Sequence, residues 1–273
     1  MQSTPRIPLR RGLRHCKWSG VKCDEQGFVS EIVLRIKDIE GIIPPEIGDL
    51  KNLKMLYLNN NFLKGTIPPE IGRLQALTHI SLGENKLEGP IPPEVGNLTN
   101  LEYLYLYNNK LNGSLPDTLS NLKKLRHLGV WQNHLSGEIP ASLSEAGALQ
   151  FIWLNNNALN GTIPLSLGSM EHLEFLYLSG NYLSGPVPVE LGGLQKLQGL
   201  YLSANNLTGA VPCEVATLPV LKKLDASATK VEWCGDLECA IEACKKEAEK
   251  LETEEGNAEK KEKVEQDGVK AEL

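Results

Sequence analysis

The residues suited to acid–base or metal chemistry are few in this sequence and form no catalytic motif. His79 and His127 lie 48 residues apart, and no carboxylates recur beside them as an acid–base pair or a metal site would need. A zinc site built from His15, Cys16 and Cys23 lacks a fourth ligand at the usual spacing. No HExxH, GxSxG, P-loop or dinucleotide-binding motif occurs. We therefore predict no enzyme activity, no cofactor and no metal, and we interpret these histidines as parts of a binding surface.

The aromatic residues, by contrast, are regularly placed, because most of them fall on three positions of a 24-residue interval. Tyrosine and tryptophan combine a large apolar area with a polar tip, which suits recognition. Aromatic residues also favour strands and pack along them, but that preference does not explain why the core positions lack rings. The predicted partner-binding residues are Tyr57, Tyr103, Tyr105, Tyr107, His127, Trp131, Phe151, Trp153, Phe175, Tyr177 and Tyr201.

These positions belong to a 24-residue unit that recurs without insertions. The segment 50–73 shows it most clearly and reads LxxLxxLxLxxNxLxGxIPxxIGx. Leu56 and Leu58 alternate with Met55, Tyr57 and Asn59, which is typical of a short strand with one face buried. A fixed period of this length predicts a repeat solenoid, in which each unit buries its apolar side against its neighbours. We count eight repeats and a partial ninth.

An asparagine follows the strand in seven of these units. Its amide can bond backbone groups that the turn leaves unpaired, so stacked copies predict a buried ladder. The glycines and prolines are assigned to the bends of the repeat alone. The predicted ladder consists of Asn61, Asn85, Asn109, Asn133, Asn157, Asn181 and Asn205.

The unit resembles the plant-type leucine-rich repeat, whose signature is LxGxIPxxLG, over about residues 16–239. The resemblance implies an α/β-type repeat solenoid. In such a fold a right-handed superhelix carries a parallel β-sheet on its concave side and an irregular or 3-10 convex side, with a short C-terminal helix as cap. It also implies a binding role, as in receptor ectodomains, co-receptors and inhibitors of cell-wall hydrolases, in signalling or defence.

The segment Cys16–Cys23 resembles the N-terminal cap of that family, CxWxGVxC. The resemblance implies a disulfide between the two cysteines. Trp18 and Val21 are then expected to cover the first layer, which has no neighbour on its outer side.

The segment Cys234–Cys239 resembles the C-terminal cap only loosely, because the proline of that motif is absent. A Cys234–Cys239 bridge is the first choice, which leaves Cys213 and Cys244 as a second pair. The predicted organisation is a disordered or truncated segment 1–15, a cysteine cap 16–28, a solenoid 29–233, a cap helix 234–252 and a charged disordered tail 253–273.

The composition limits the classes of partner that this chain can be expected to bind. The net charge of −6 argues against nucleic acid, which needs a basic surface, and no apolar run is long enough to span a membrane. The expected partner is a protein or peptide, with a glycan as a further class, and the oligomeric state stays open. Charges gather at the two ends of the strand columns. The glycosylation sequons begin at Asn97, Asn112, Asn160 and Asn206.

We therefore predict a non-catalytic recognition module, similar to a receptor ectodomain, that binds its partner on the concave aromatic face. A soluble inhibitor of cell-wall hydrolases is the alternative, and a structural or ice-binding repeat protein is a more remote one. The resemblance implies an extracellular or membrane-associated protein. The segment 1–15 has no apolar signal-peptide core, which leaves a cytoplasmic location open.

Overall fold

The structure is a computed structural model that describes residues 15–227, 229–231, 238, 241, 242 and 244–246. The predicted tail 253–273, most of the segment 1–15, most of the cap helix 234–252, and the Cys234–Cys239 bridge lie outside the described residues.

A ten-stranded sheet, here called the concave sheet, runs the length of the solenoid. The first two strands pair in antiparallel fashion, and every later pair is parallel. In the parallel pairs each residue lies opposite the residue 24 positions later, as Leu56 does with Ile80. The strands are Val21–Cys23, Val29–Val33, Met55–Tyr57, His79–Ser81, Tyr103–Tyr105, His127–Gly129, Phe151–Trp153, Phe175–Tyr177, Gly199–Tyr201 and Lys223–Asp225.

The opposite side of the solenoid is made of short 3-10 helices, as the resemblance implied. From the second helix onward a proline precedes each one and holds φ between −74° and −63°, a value that suits a helix start. The helices are His15–Lys17, Pro45–Asp49, Pro69–Arg73, Pro93–Asn97, Asp117–Asn121, Ala141–Glu145, Leu165–Ser169 and Val189–Gly193, followed by a single α-helical turn, Cys213–Ala216.

A second set of strands follows the asparagine turns, and the sequence did not predict it. These strands form a six-stranded and a three-stranded parallel sheet on one flank. Their register pairs residues 22 positions apart, as in Pro90 with Asn112. The strands are Glu40–Gly41, Phe62–Gly65, Lys86–Pro90, Lys110–Gly113, His134–Glu138 and Ala158–Asn160, then Ser184–Pro186, Asn206–Gly209 and Lys230–Val231.

The core between these layers is aliphatic. Leu56, Leu104 and Leu128, in the middle of their strands, have no exposed surface. Among the described residues no phenylalanine, tyrosine or tryptophan ring is fully buried. The rings of this chain therefore do not fill its core, and their positions need another explanation.

Each ladder asparagine ties neighbouring repeats together. Asn109 donates from Nδ2 to the carbonyl oxygens of Leu82 and Leu106 at 3.0 Å, and its Oδ1 accepts the N–H of Leu87 at 2.9 Å. Asn133 makes the same bonds one repeat later, to Leu106 among others. The arrangement recurs at Asn61, Asn85, Asn157, Asn181 and Asn205.

Both ends of the solenoid carry a disulfide. Cys16 bonds Cys23, but Trp18 keeps 49% of its surface exposed, so it covers the first layer less completely than expected. At the other end Cys213, which begins the α-helical turn, bonds Cys244. This disulfide ties the buried residue Cys244 to the last full repeat.

Candidate functional site: the aromatic strip

All eleven sequence-predicted binding residues lie on the outer face of the concave sheet. Side chains alternate along each strand, so three columns face outward in every repeat. The first column contains Met55, His79, Tyr103, His127, Phe151, Phe175 and Gly199; the second contains Tyr57, Ser81, Tyr105, Gly129, Trp153, Tyr177 and Tyr201; the third contains Asn59, Gly83, Tyr107, Trp131, Asn155, Ser179 and Ser203. We call the eleven predicted residues together the aromatic strip.

Every side chain of the strip is half-buried. The neighbours that alternate with them, such as Ile152 and Leu154, have no exposed surface. The rings therefore rest on the aliphatic core without entering it, and part of each remains open to solvent. An outward surface of this kind can contact a partner.

The rings pack against one another along the solenoid axis. Tyr107 stacks on Trp131 with centroids 4.1 Å apart and an angle of 1° between planes, and Tyr177 stacks on Tyr201 at 4.1 Å and 5°. Trp131 and Trp153 join the second and third columns at 5.9 Å. The passive packing that the sequence left as an alternative is thus present, and it fixes the rings in place while leaving them half-open.

His127 lies at the centre of the strip, where four rings surround it: Tyr103, Tyr105, Phe151 and Trp153. Its Nδ1 lies 2.6 Å from the Tyr105 hydroxyl, a hydrogen bond that a neutral imidazole can accept. Burial, with a smaller contribution from the charge of Arg126, lowers the pKa of His127 below its ordinary value. Burial raises the pKa of Tyr105 to about 12.

His79 occupies the same column two repeats earlier. It stacks on Tyr103 at 4.4 Å, and its Nδ1 lies 2.8 Å from the Thr78 hydroxyl. Burial lowers its pKa as well. Both histidines are therefore held in their neutral form within the row of rings. This agrees with the interpretation that they form part of a binding surface.

Three glycines, which the sequence analysis assigned to repeat bends alone, belong to this site. A Cβ atom on Gly129 would lie 2.7 Å from the Trp131 ring and 2.9 Å from the Tyr105 ring. Gly83 is equally close beneath Tyr107, and Gly199 lies between Phe175 and Tyr201. Their position in the outward columns, beside large rings, was the sequence signal that could have identified them.

Charges lie along the strip's edge as well as at its ends. At the first end Arg35 lies 5.7 Å from the centre of the Tyr57 ring, and Glu31 pairs with Lys22. Halfway along, Arg126 and Glu102, which precede their strands, approach to 3.8 Å. Arg126 and Glu102 lie beside the columns and not in them, and the columns between Tyr103 and Tyr177 contain no carboxylate or ammonium group, in agreement with the prediction that charges of the columns gather at the ends.

A metal at the N-terminal cap does not fit the structure. His15, Cys16 and Cys23 lie within ligand distance of one another, but the two sulfurs are bonded to each other and are not free thiolates. Among the described residues this is the only such group. Within the same part of the chain, no helix is long and apolar enough to cross a membrane.

The four sequon asparagines are all exposed. Asn112, Asn160 and Asn206 lie on the second set of strands, away from the concave sheet, and Asn97 ends a 3-10 helix. Glycans at these positions would therefore leave the aromatic strip uncovered.

Comparison with known proteins gives consistent matches. A family described as "Leucine-rich repeat region" matches residues 33–150, and one described as "Leucine Rich Repeat" matches residues 148–170 and 172–194. Curated plant receptor kinases match only over short segments, 4–5% of their length.

Among solved structures, the ectodomain of the Arabidopsis thaliana receptor kinase GASSHO1/SCHENGEN3, in complex with CASPARIAN STRIP INTEGRITY FACTOR 2, is 34% identical with a TM-score of 0.74. The match covers 80% of this chain and 29% of that one. The Arabidopsis receptor kinase HAESA ectodomain, in complex with a peptide hormone, is 30% identical with a TM-score of 0.71, over 79% and 41%. A plant ice-binding protein is 31% identical with a TM-score of 0.63, over 79% and 78%. This chain thus spans less than half of either receptor ectodomain.

Proposed function

The chain belongs to the leucine-rich-repeat family, and from that premise we propose that it is a non-catalytic recognition module that binds a protein or peptide partner on its aromatic strip. The observation that carries the proposal is the half-buried, mutually stacked state of the rings. Stacking fixes the side chains before binding, so little conformational entropy is lost when a partner arrives.

The centre of the strip is the part best suited to anchor a partner. Tyr105, Tyr107, Trp131, Phe151, Trp153 and Tyr177 lie there, where the columns carry no charge. Buried aromatic groups near the middle of an interface usually contribute most of its binding energy. Two of the receptor ectodomains that resemble this chain were solved in complexes, one of them with a peptide hormone, which supports a partner of that class.

Two disulfides favour an oxidising compartment, and we propose an extracellular or membrane-associated location on that ground and on the relatives. In such a location the exposed sequons at Asn97, Asn112, Asn160 and Asn206 would be available for glycosylation.

The test uses the immobilised chain against a library of random linear peptides and a glycan array. We expect peptide binders whose affinity falls by at least tenfold in the double variant Trp131→Ala/Trp153→Ala. Trp18→Ala is the matched control, because Trp18 is exposed outside the strip. Binders that tolerate the double variant would show that recognition uses another surface, and sugar binders alone would replace the peptide class with glycans.

Ice binding is a second candidate because the plant ice-binding protein is matched over most of its length. A surface that binds ice should repeat the same small groups at even spacing. Here Pro90, Asn112 and His134 are successive neighbours across the second set of strands, so that flank is not uniform. The concave columns vary still more. We expect ice crystals to grow unaltered in solutions of the chain, and shaped crystals would favour this candidate instead.

If the chain is instead an inhibitor of cell-wall hydrolases, the aromatic strip would bind the hydrolase itself. Loss of polygalacturonase activity on addition of the chain, restored by the double tryptophan substitution, would identify that role.

A further inference from the structure

The third column of the concave sheet changes from large to small side chains halfway along. Tyr107 and Trp131 fill it in the middle of the solenoid, and Asn155, Ser179 and Ser203 follow, with Ser227 at the next equivalent position. The backbone ladder continues through these residues, because Asn156 N–H bonds Ser179 O at 2.8 Å and Gly180 N–H bonds Ser203 O at 2.9 Å. The small residues therefore form a continuous floor, which we call the serine trough: Asn155, Ser179, Ser203 and Ser227.

The trough has a wall and a closed end. Trp153, Tyr177 and Tyr201, in the second column, stack along one side of it. Trp131 stands at its first end in contact with Trp153. At the far end Asp225 accepts hydrogen bonds from the Ser227 hydroxyl at 2.7 Å and from the Ser227 N–H at 3.1 Å. The trough is thus bounded by rings on two sides and by a carboxylate at its far end.

The floor offers unused hydrogen-bonding groups. Among the described residues, the Asn155 side-chain amide has no partner, so two donors and an acceptor are available. The Ser203 and Ser179 hydroxyl oxygens lie 3.0 Å apart, and the Ser203 hydroxyl also bonds the Asp225 carboxylate, so Ser179 offers an oxygen that can accept a further hydrogen bond. Trp153 Nε1 is likewise without a partner in the described chain. These groups suit the alternating carbonyl and N–H groups of an extended backbone.

The ring arrangement disfavours a sugar in this place. A pyranose lies flat on the open face of an aromatic ring. Tyr177 and Tyr201 use their facing sides on each other, with planes 5° apart, so the wall presents ring edges and hydroxyl groups. Ring edges carry partial positive charge and favour oxygen acceptors such as peptide carbonyls.

The length of the trough sets the size of the occupant. Asn155 and Ser227 are separated by three strand spacings, about 14 Å, which an extended peptide covers with roughly four residues. Burial by itself would raise the pKa of the Asp225 carboxyl. Hydrogen bonds from Ser227 and Ser203, together with the positive charge of Lys223, outweigh that effect and hold the pKa below its usual range, so the carboxylate is ionised. A negative group at the end of an uncharged floor complements a basic side chain.

From this we infer that the partner of the aromatic strip enters as an extended peptide segment lying along the serine trough, with small side chains on the floor and a Lys or Arg beside Asp225. The inference rests on the proposed function and adds where, in which conformation and with what composition the peptide binds.

The test compares a filled trough with an unfilled one. Peptides selected from the random linear library on the wild-type chain are measured against Ser179→Leu/Ser203→Leu. The same column holds Tyr107 and Trp131 in earlier repeats, so larger side chains are compatible with this backbone. We expect at least a tenfold loss of affinity. Ser136→Leu, at an exposed serine of the second set of strands, is the matched control and should change nothing.

Two further readouts complete the experiment. Asp225→Asn should lower by several fold the affinity for peptides that contain a basic residue. If Ser179→Leu/Ser203→Leu does not fold, Ser227→Trp, at an exposed position, blocks the far end of the trough instead. Peptides whose binding requires Trp153 but is unchanged in Ser179→Leu/Ser203→Leu or in Ser227→Trp would show that the trough is not their binding site. The proposed recognition function of the aromatic strip would still hold in that case. A library without any binder dependent on Trp131 and Trp153 would overturn both.

Discussion

Replacing Asn109 by alanine removes four hydrogen bonds but leaves only one buried group without a partner. The carbonyl of Leu82 still accepts from Asn85 Nδ2 at 3.0 Å, and the carbonyl of Leu106 still accepts from Asn133 Nδ2 at 3.1 Å. The N–H of Leu87, a residue with no exposed surface, loses its single partner. An unpaired buried donor costs about 1–3 kcal/mol, so we expect a loss of stability of that size.

The shared carbonyls predict a coupling between adjacent asparagines. In Asn109→Ala/Asn133→Ala, the Leu106 carbonyl loses both of its amide donors. The double variant should therefore cost more than the sum of the single ones, by about 1–3 kcal/mol. Asn109→Ala/Asn205→Ala shares no carbonyl and should be additive, because distant sites do not couple.

Thermal and urea unfolding measure these differences. For a chain of this size, 1 kcal/mol corresponds to roughly 2–4 °C in Tm, so the single variant should melt about 2–12 °C lower. An unchanged melt for Asn109→Ala would show that the ladder does not stabilise the solenoid. Strict additivity in the adjacent pair would refute the shared-carbonyl account even if each single variant is destabilised.

Three further expectations follow from the strip. Gly129→Ala should cost about 1–3 kcal/mol and shift tryptophan fluorescence, because its new Cβ meets the rings of Trp131 and Tyr105, whereas Gly147→Ala, with open space around it, should be neutral. In an absorbance titration, Tyr105 and Tyr177 should ionise near pH 12, and stability should fall as pH rises above about 10, since their native pKa values lie above those of the unfolded chain; ionisation of all tyrosines near pH 10 would contradict this. His79 and His127, with lowered pKa values, should make the fold less stable as pH falls below about 6.5, and His127→Phe, followed by thermal melts across that range, should reduce the dependence.

The sequence predicted the solenoid, its parallel sheet and the face on which the rings lie, because each follows from a strict period. A 24-residue repeat with alternating Leu56 and Leu58 has one register that turns both toward the core in every unit, and the structure has that register, with Leu56 fully buried and Leu58 partly buried. The 3-10 helices could be expected because a proline such as Pro68 fixes the backbone at each helix start.

The second set of strands could not be predicted in the same way. Lys110–Gly113 contains a single core leucine, Leu111, and ends in a glycine with positive φ, which gives neither the length nor the alternation of a strand. Its hydrogen bonds come from neighbouring repeats, so the strand exists only because the concave sheet has already placed those repeats side by side. Tertiary context decided this element.

The contacts between the glycines and the rings could not be predicted from the sequence either, because they join different columns, and the repeat pattern gives no information about contacts between columns. Gly129 lies in the second column, yet the rings it accommodates are those of Trp131 in the third column and Tyr105 in the preceding repeat. Knowing the column of each residue gives its direction but not the tilt of a large side chain. That tilt depends on which neighbour is small.

The repeat thus divides stability and recognition between different positions. Leucines and ladder asparagines hold adjacent units in register, while the outward columns accept residues from glycine to tryptophan without a change in that register. Since the strand pairing does not depend on what the outward columns hold, substitutions there can alter the shape of the surface without changing the register, although a position packed against rings, such as Gly129, still carries a cost. The serine trough beside the stacked wall is such a local change of shape, and binding should therefore be separable from stability at Ser179 and Ser203 but not at Asn109.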